Sequence, residues 1–240
     1  MSDLSQVTAV ILAGGMGTRL RQVVSDRPKV MAEINYQPFI TYLLDQLIKT
    51  DIEQVIISTG YKADIVEDTI GARYNGLHVD YSREETPLGT AGALKLAEQI
   101  VDTEYCLVMN GDSYTEFDAI SLFMSCKQKN ASIVLLVKMV TGISRFGTIQ
   151  MNEKNKIIKF MEKGETTDSG LINVGIYMMK TSALQKIPDK APCSLEYDFF
   201  PAMIGKGIYG CETEGRFIDI GTPESYNQAE KFFECKPISA

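Results

Sequence analysis

Residues 12–20 read Leu-Ala-Gly-Gly-Met-Gly-Thr-Arg-Leu directly after an apolar run from Val7, and Lys29 follows Arg19 by ten positions, behind Pro28. Gly14, Gly15 and Gly17 would let backbone N–H groups come close to a phosphate or a base, because no Cβ intervenes. Two cations beside such a turn suit a polyphosphate. The loop is not a dinucleotide fingerprint, since Leu20 stands where the third glycine belongs. Nor is it a P-loop, since Gly17-Thr18-Arg19 lacks the closing lysine and hydroxyl. On the glycines alone, a tight turn without a ligand is the alternative. Two carboxylates add chemistry. Asp112 ends Asn110-Gly111-Asp112, just past an apolar stretch, where α/β proteins present groups to ligands. Asp219 interrupts the apolar run Phe217-Ile218-Asp219-Ile220. There it must be paired, capped or metal-bound, because a lone buried carboxylate is costly. Turn and helix-capping roles are the alternatives for these two residues.

Hydrophobic periodicity supplies the elements that hold these residues. Val7–Leu12, Val55–Ser58, His78–Ser82, Tyr105–Asn110 and Ile133–Val140 read as strands. Helical spacing marks Phe39–Ile48, Asp64–Ile70, Ala91–Ile100 and Ala119–Lys129. The alternation predicts parallel strands joined by crossover helices, an α/β layered fold. After Thr141 come shorter extended pieces at Thr148–Met151, Ile157–Met161, Leu171–Met179 and Arg216–Ile220, which suggest a mixed sheet appended to the first half. Thr222, Pro223 and Glu224 predict the N-cap and first turn of a final helix. No linker-like stretch separates the halves, so we expect a single domain over 1–240 with lobes at 1–140 and 141–240. Met178-Met179 and Phe199-Phe200 are expected in the core, and His78, the only histidine, in a structural or surface role.

Composition narrows the function classes. With 24 Lys+Arg against 31 Asp+Glu in 240 residues, the formal charge is −7, and the pI near 4.9 argues against a nucleic-acid partner, which needs a basic surface. A small phosphorylated ligand stays open, because a few local cations can hold it. The five cysteines form no Cys-x-x-Cys pair, so a zinc site or disulfide framework is not expected, and reduced thiols in a cytoplasm are. Met1–Val10 carries no Lys or Arg, as a signal peptide would. No apolar run reaches the ~18 residues of a membrane span. A soluble, cytoplasmic protein without membrane contact is expected.

Six ordered motifs then carry a resemblance. The glycine loop with Pro28-Lys29, Pro87-Leu88-Gly89-Thr90-Ala91-Gly92, Asn110-Gly111-Asp112, Glu162-Lys163, Asn173-Val174-Gly175 and Phe217–Gly221 together resemble the sugar-1-phosphate nucleotidyltransferases over nearly the whole chain. Within the family, Arg21–Lys29 and Ser194–Asp198 look most like the guanylyltransferases acting on D-glycero-α-D-manno-heptose 1-phosphate. The resemblance implies a Rossmann-like, mixed but mainly parallel sheet flanked by helices, of glycosyltransferase-A-like architecture. It implies GTP and a sugar 1-phosphate as substrates, Mg²⁺ as cofactor and a product destined for surface polysaccharide; homo-oligomerisation is left open. Val30 and Val174 depart from the family, which has Pro and often Gly there, and Val30 is expected to loosen the loop of Lys29.

In the implied reaction a sugar-phosphate oxygen attacks the α-phosphorus of the triphosphate and expels pyrophosphate. A phosphate monoester loses its second proton near pH ~6, so no general base is required. Positioning and charge neutralisation are. By resemblance, Leu12, Ala13, Gly14, Gly15, Gly17, Thr18, Gly89 and Thr90 line the nucleotide site, and Arg19 and Lys29 hold the leaving phosphates. Asp112 and Asp219 resemble the family's Mg²⁺ ligands, with phosphate oxygens and water completing the octahedron. Lys163 would hold the sugar phosphate, Glu162 and Asn173 its hydroxyls, Gly147 would offer backbone, and Glu196 is a further candidate. The family's base-reading residue, commonly Gln, lies five positions before the Gly-Thr pair, which gives Glu84. A carboxylate offers two adjacent acceptors to guanine N1–H and the 2-amino group. Rival readings keep the chemistry with mannose 1-phosphate or a pyrimidine base, or make the chain a non-catalytic nucleotide-sugar-binding subunit. Intact Arg19, Lys29, Asp112 and Asp219 argue against the last, and the failed fingerprint against a dehydrogenase.

Overall fold

The computed structural model describes residues 4–20, 22–142, 147–162 and 169–234. Its centre is four parallel strands: β1 (Val7–Leu12), β4 (Gln54–Thr59), β6 (Leu77–Arg83) and β7 (Tyr105–Asn110). Between β1 and β4 lie a short hairpin, β2 (Glu33–Ile34) with β3 (Gln37–Pro38), and the helix α1 (Phe39–Ile48). Helix α2 (Ala63–Ile70) joins β4 to the two-residue β5 (Arg73–Tyr74) and β6, and α3 (Gly89–Ala97) joins β6 to β7. β1 is apolar apart from Thr8 because both of its faces are covered, as in other parallel sheets. Alternate residues then serve opposite layers. Ala9, Ile11, Val55, Ile57, Leu107 and Met109 enter one core with α1, and Val10, Ile56, Cys106 and Val108 enter the other with α3.

The second half extends this sheet instead of forming an appended one. After β8 (Ser113–Thr115) and α4 (Ala119–Gln128) come β9 (Ile133–Thr141), β10 (Thr148–Met151), β11 (Ile157–Met161) and the long β12 (Ser169–Lys180). β12 runs antiparallel to β7 and to β9. Along one path the order is β11-β10-β12-β7-β1-β4-β6-β5, while β9 pairs with β12 and with β13 (Ile208–Glu212). The β12–β9 register shifts between Asn173 and Tyr177. Short helices α5 (Thr181–Leu184) and α6 (Phe200–Ala202) lead on to β13 and to β14 (Phe217–Asp219), which pairs with β8 in a separate ribbon. The final helix α7 (Pro223–Glu234) starts as its residues predict. Ser225 N donates to Thr222 Oγ1 at 3.2 Å, and Pro223 is the first helical residue. Met178, Met179, Phe199 and Phe200 are buried, and His78 is half-exposed beside Asp80.

Candidate functional site

The glycine loop, Lys29, Asp112 and Asp219 meet at the carboxyl ends of the parallel strands. Leu12 and Asn110 are paired at the ends of β1 and β7, so each chain leaves the sheet at the same level. Gly111 N then donates to Leu12 O at 2.9 Å. Lys29 lies in a single helical turn, Lys29–Met31, and its Nζ donates to Asp112 Oδ2 at 2.7 Å. Val30 packs within this turn. It is buried and its Cγ1 fills the space where a Cβ on Gly111 would fall. Asp219 arrives from β14 opposite Ser113, and its Oδ1 accepts from Gly221 N at 2.9 Å. A Cβ on Gly221 would lie 2.7 Å from Asp219 Oδ1 and 3.4 Å from Lys29 Nζ, which puts the two residues around one small space. Among the described residues no three His, Cys, Asp or Glu side chains gather as a metal cage. Mg²⁺ needs no such cage, because it is held by one or two carboxylates together with substrate phosphates and water. Asp112 and Asp219 each keep a second oxygen outside the hydrogen bonds just described, so this donor set fits the ion.

Two cavities adjoin at this cluster. One, of about 430 Å³, is lined by Leu12, Ala13, Gly14, Gly15, Gly17 and Thr18, with Lys29, Glu84, Gly89, Thr90 and Asp112. The other, of about 500 Å³, is lined by Gly147, Glu162, Asn173 and Asp219 among others. Arg19, Asn110 and Glu196 line both. The sequence-predicted nucleotide residues thus share one cavity, and the predicted sugar residues share the next. Lys163 lies outside the described residues.

Glu84 follows β6, and its Oε2 accepts from Leu88 N at 3.0 Å. Burial raises its carboxyl above the ordinary range, an effect the Leu88 N–H opposes. Glu196 sits in a single π-helical stretch, Leu195–Phe199, capped by Ser194. Its side chain is partly buried there. Its Oε2 accepts from Ser194 Oγ at 3.0 Å and from Thr90 Oγ1 at 3.2 Å, and its Oε1 from Tyr177 OH at 3.4 Å. Thr90 Oγ1 in turn accepts from Leu195 N at 2.8 Å, so this hydroxyl ties α3 to the π-helical stretch. Gly89 permits the approach: its φ is +76°, and a Cβ there would meet Cys193 O at 2.4 Å. Asn173 Nδ2 donates to Tyr177 OH at 2.9 Å, and its Oδ1 accepts from Gly175 N at 2.9 Å. Tyr177 is wholly buried, and its hydroxyl is pushed well above its usual pKa by desolvation and by Glu196.

Sequence reasoning missed Tyr177, the buried hub of this network, whose position in an apolar strand gave no sign of a polar role. It also missed Asn110 as a wall of both cavities. That signal was present in Asn110-Gly111-Asp112, where attention fell on the carboxylate.

A family model described as nucleotidyl transferase matches residues 8–236. The chain is 38% identical over 224 residues to the D-glycero-alpha-D-manno-heptose 1-phosphate guanylyltransferase of Aneurinibacillus thermoaerophilus, covering 93% of this chain and 96% of that one. It is 33% identical over 225 residues to the mannose-1-phosphate guanylyltransferase of Mycobacterium tuberculosis, covering 92% of this chain but 63% of the relative. Crystal structures of HddC from Yersinia pseudotuberculosis superpose with a TM-score of 0.84 at 33% identity, covering 94% of this chain and 99% of that one. The same protein complexed with GMP-PN superposes at 0.82 and 32% identity, with the same coverage.

Proposed function

Because the chain belongs to the nucleotidyl transferase family, we propose that it transfers GMP from GTP to D-glycero-α-D-manno-heptose 1-phosphate, releasing pyrophosphate and GDP-heptose. The observation that carries this reading is the Lys29–Asp112 pair, with Asp219 beside it, where a glycine-lined cavity meets a second one. Relatives with this name align over nearly the whole chain, and the neighbouring HddC structure holds a guanine nucleotide analogue.

The residues divide the work by their position. Backbone N–H groups of the glycine loop and the Arg19 guanidinium face the triphosphate, which sits in the smaller cavity. Lys29 holds Asp112 in place and adds a cation where charge accumulates on the leaving pyrophosphate. Asp112 and Asp219 would hold Mg²⁺, which neutralises phosphate charge and draws the two substrates together. Glu84 accepts from the guanine edge. Glu162, Asn173 and Glu196, with backbone at Gly147, orient the acceptor in the larger cavity, and Lys163 offsets the charge of its phosphate. In this reading residues 1–140 serve the nucleotide and 141–240 the sugar phosphate. Among the described residues no helix is long and apolar enough to cross a membrane. Work in the cytoplasm, where GTP is made, fits the four free thiols among the described residues, three of them buried.

The test is pyrophosphate release from each of five nucleoside triphosphates paired with heptose, mannose and glucose 1-phosphates, with and without Mg²⁺. GTP with heptose 1-phosphate is expected to give the highest kcat/KM, and EDTA is expected to abolish turnover. A preference for mannose 1-phosphate would move the assignment to the mannose enzymes, which the Mycobacterium relative represents.

A further inference from the structure

Asn110 stands at the last position of β7, in the wall that both cavities share. Its Oδ1 is buried and accepts no hydrogen bond among the described residues. The fold is shaped around this amide. Gly175 opposes it with φ +79°, and a Cβ there would lie 2.9 Å from Asn110 Cβ and 3.0 Å from its Nδ2. The register shift of β12 occurs at this level, between Asn173 and Tyr177, and such irregularities commonly re-aim side chains beside a site. No described residue donates to this oxygen, which a left-handed glycine holds beside both cavities, so it is placed to take a donor from a bound ligand.

The chemistry of the substrates says which donor. Phosphate oxygens are chiefly acceptors at neutral pH, so they cannot satisfy Oδ1. A hydroxyl both donates and accepts, and it can pair with either end of an amide whose terminal torsion is soft. Where the two cavities meet, the acceptor's phosphate must lie near the triphosphate, and the acceptor hydroxyl nearest that phosphate is the one on C2. Resting on the transferase reading above, we propose that Asn110 is a specificity-determining residue that hydrogen-bonds the C2 hydroxyl of the acceptor and selects its manno configuration. Groups built to bond a hydroxyl discriminate strongly against analogues lacking it, because the buried partner is left unpaired.

The experiment compares kcat/KM for mannose 1-phosphate, glucose 1-phosphate and 2-deoxyglucose 1-phosphate, in wild type, Asn110→Ala and Asn110→Asp, with folding checked by circular dichroism. The wild type is expected to favour the manno acceptor by roughly tenfold or more over the other two. Asn110→Ala is expected to shrink the gap to about twofold. Asn110→Asp keeps an acceptor oxygen but adds charge beside the phosphates, so it should lower kcat for all three sugars while preserving their ratio. Ser58→Ala is the control. Its hydroxyl is also buried and has no partner among the described residues, but it lines neither cavity, and the ratio should not move. A parallel series with dGTP separates the other source of hydroxyls, the ribose. Loss of a GTP/dGTP preference in Asn110→Ala, with the sugar ratio intact, would overturn the assignment. An active wild type with equal ratios in Asn110→Ala would also overturn it and leave the transferase reading standing. A wild type that releases pyrophosphate with no acceptor overturns both.

Discussion

The two ends of the parallel strands treat their polar groups in opposite ways. At the amino ends, a chain of side chains crosses four neighbouring strands. Thr103 Oγ1 donates to Thr8 Oγ1 at 2.9 Å, Thr8 Oγ1 to Gln54 Oε1 at 3.3 Å, and Gln54 Nε2 to Asp80 Oδ2 at 2.7 Å. His78 Nε2 closes the series 3.3 Å from the same carboxylate. At the carboxyl ends, Asn110 Oδ1 is buried without a partner among the described residues, Glu84 is held at a raised pKa, and the charged side chains of Asp219 and Lys29 crowd around Gly221. The same strands, in the same register, supply both ends. One end uses hydrogen bonds to fix strand order, and the other leaves capacity that only a ligand can fill. Unpaired or strained groups gather where function lies because a preorganised site carries its cost in the free protein.

Asp112→Asn should break the functional end most severely. The amide can still accept from Lys29, but the lysine side chain is only 11% exposed against 48% for Asp112, so folding is expected to lose about 1–2 kcal/mol as a hydrogen bond between two charged groups becomes one to a neutral amide. The lost anion removes a Mg²⁺ ligand, and losing several kcal/mol of charge stabilisation corresponds to a fall in kcat of roughly 10³-fold. Pyrophosphate release at saturating Mg²⁺ measures it, and a rate within tenfold of wild type would remove Asp112 from the metal site. Asp219→Asn should behave alike.

Thr8→Val tests the opposite end with the opposite pattern. It keeps the shape and removes the hydroxyl between Thr103 and Gln54, both left without that partner. The expected cost is about 1–2 kcal/mol, a fall in Tm of roughly 2–8 °C for a chain this size, with kcat/KM within about twofold. A thermal melt unchanged by the substitution would show that the polar chain does not hold the strands together.

The same contrast separates what the sequence discloses from what it hides. Val7–Leu12 and Tyr105–Asn110 could be read because a strand covered on both faces is mostly apolar, with few polar positions such as Thr8 and Asn110. The glycine loop and both aspartates stood out because each breaks a local pattern. Contacts made across long sequence separations left no such trace. Nothing near Thr90 indicates that its hydroxyl meets Glu196, and nothing near Ile208–Glu212 indicates that it pairs parallel with β9. The π-helical stretch was also hidden, because its five residues have no periodicity of their own. The polar side chains of the amino-end chain look, one by one, like ordinary strand-end residues.

The smallest effect on stability belongs to Glu84, just past the carboxyl end of β6. Burial raises its carboxyl pKa, so the folded chain keeps that proton to a higher pH than the unfolded chain does. Stability therefore falls as pH rises from the ordinary carboxyl value, 4.5, through the raised folded value, and the loss is constant above it. Glu84→Gln has no proton to lose and still offers Leu88 N an acceptor. It should be more stable than wild type at pH 7 by a fraction of a kcal/mol, an amount kept small by partial solvent exposure, with the advantage vanishing below pH 4.5. Urea denaturation at several pH values measures this. Function should move the other way. Wild type is expected to prefer GTP over ITP, which lacks the 2-amino group, by roughly 10- to 150-fold, the range for a hydrogen bond to a charged acceptor of about 1.5–3 kcal/mol. Glu84→Gln should narrow that preference, and in wild type the KM for GTP should rise as pH falls into the window where the carboxyl takes up its proton. If the mutant gains stability but keeps the full GTP/ITP ratio, Glu84 is only a partly buried carboxylate beneath the glycine loop, and guanine is read by another group.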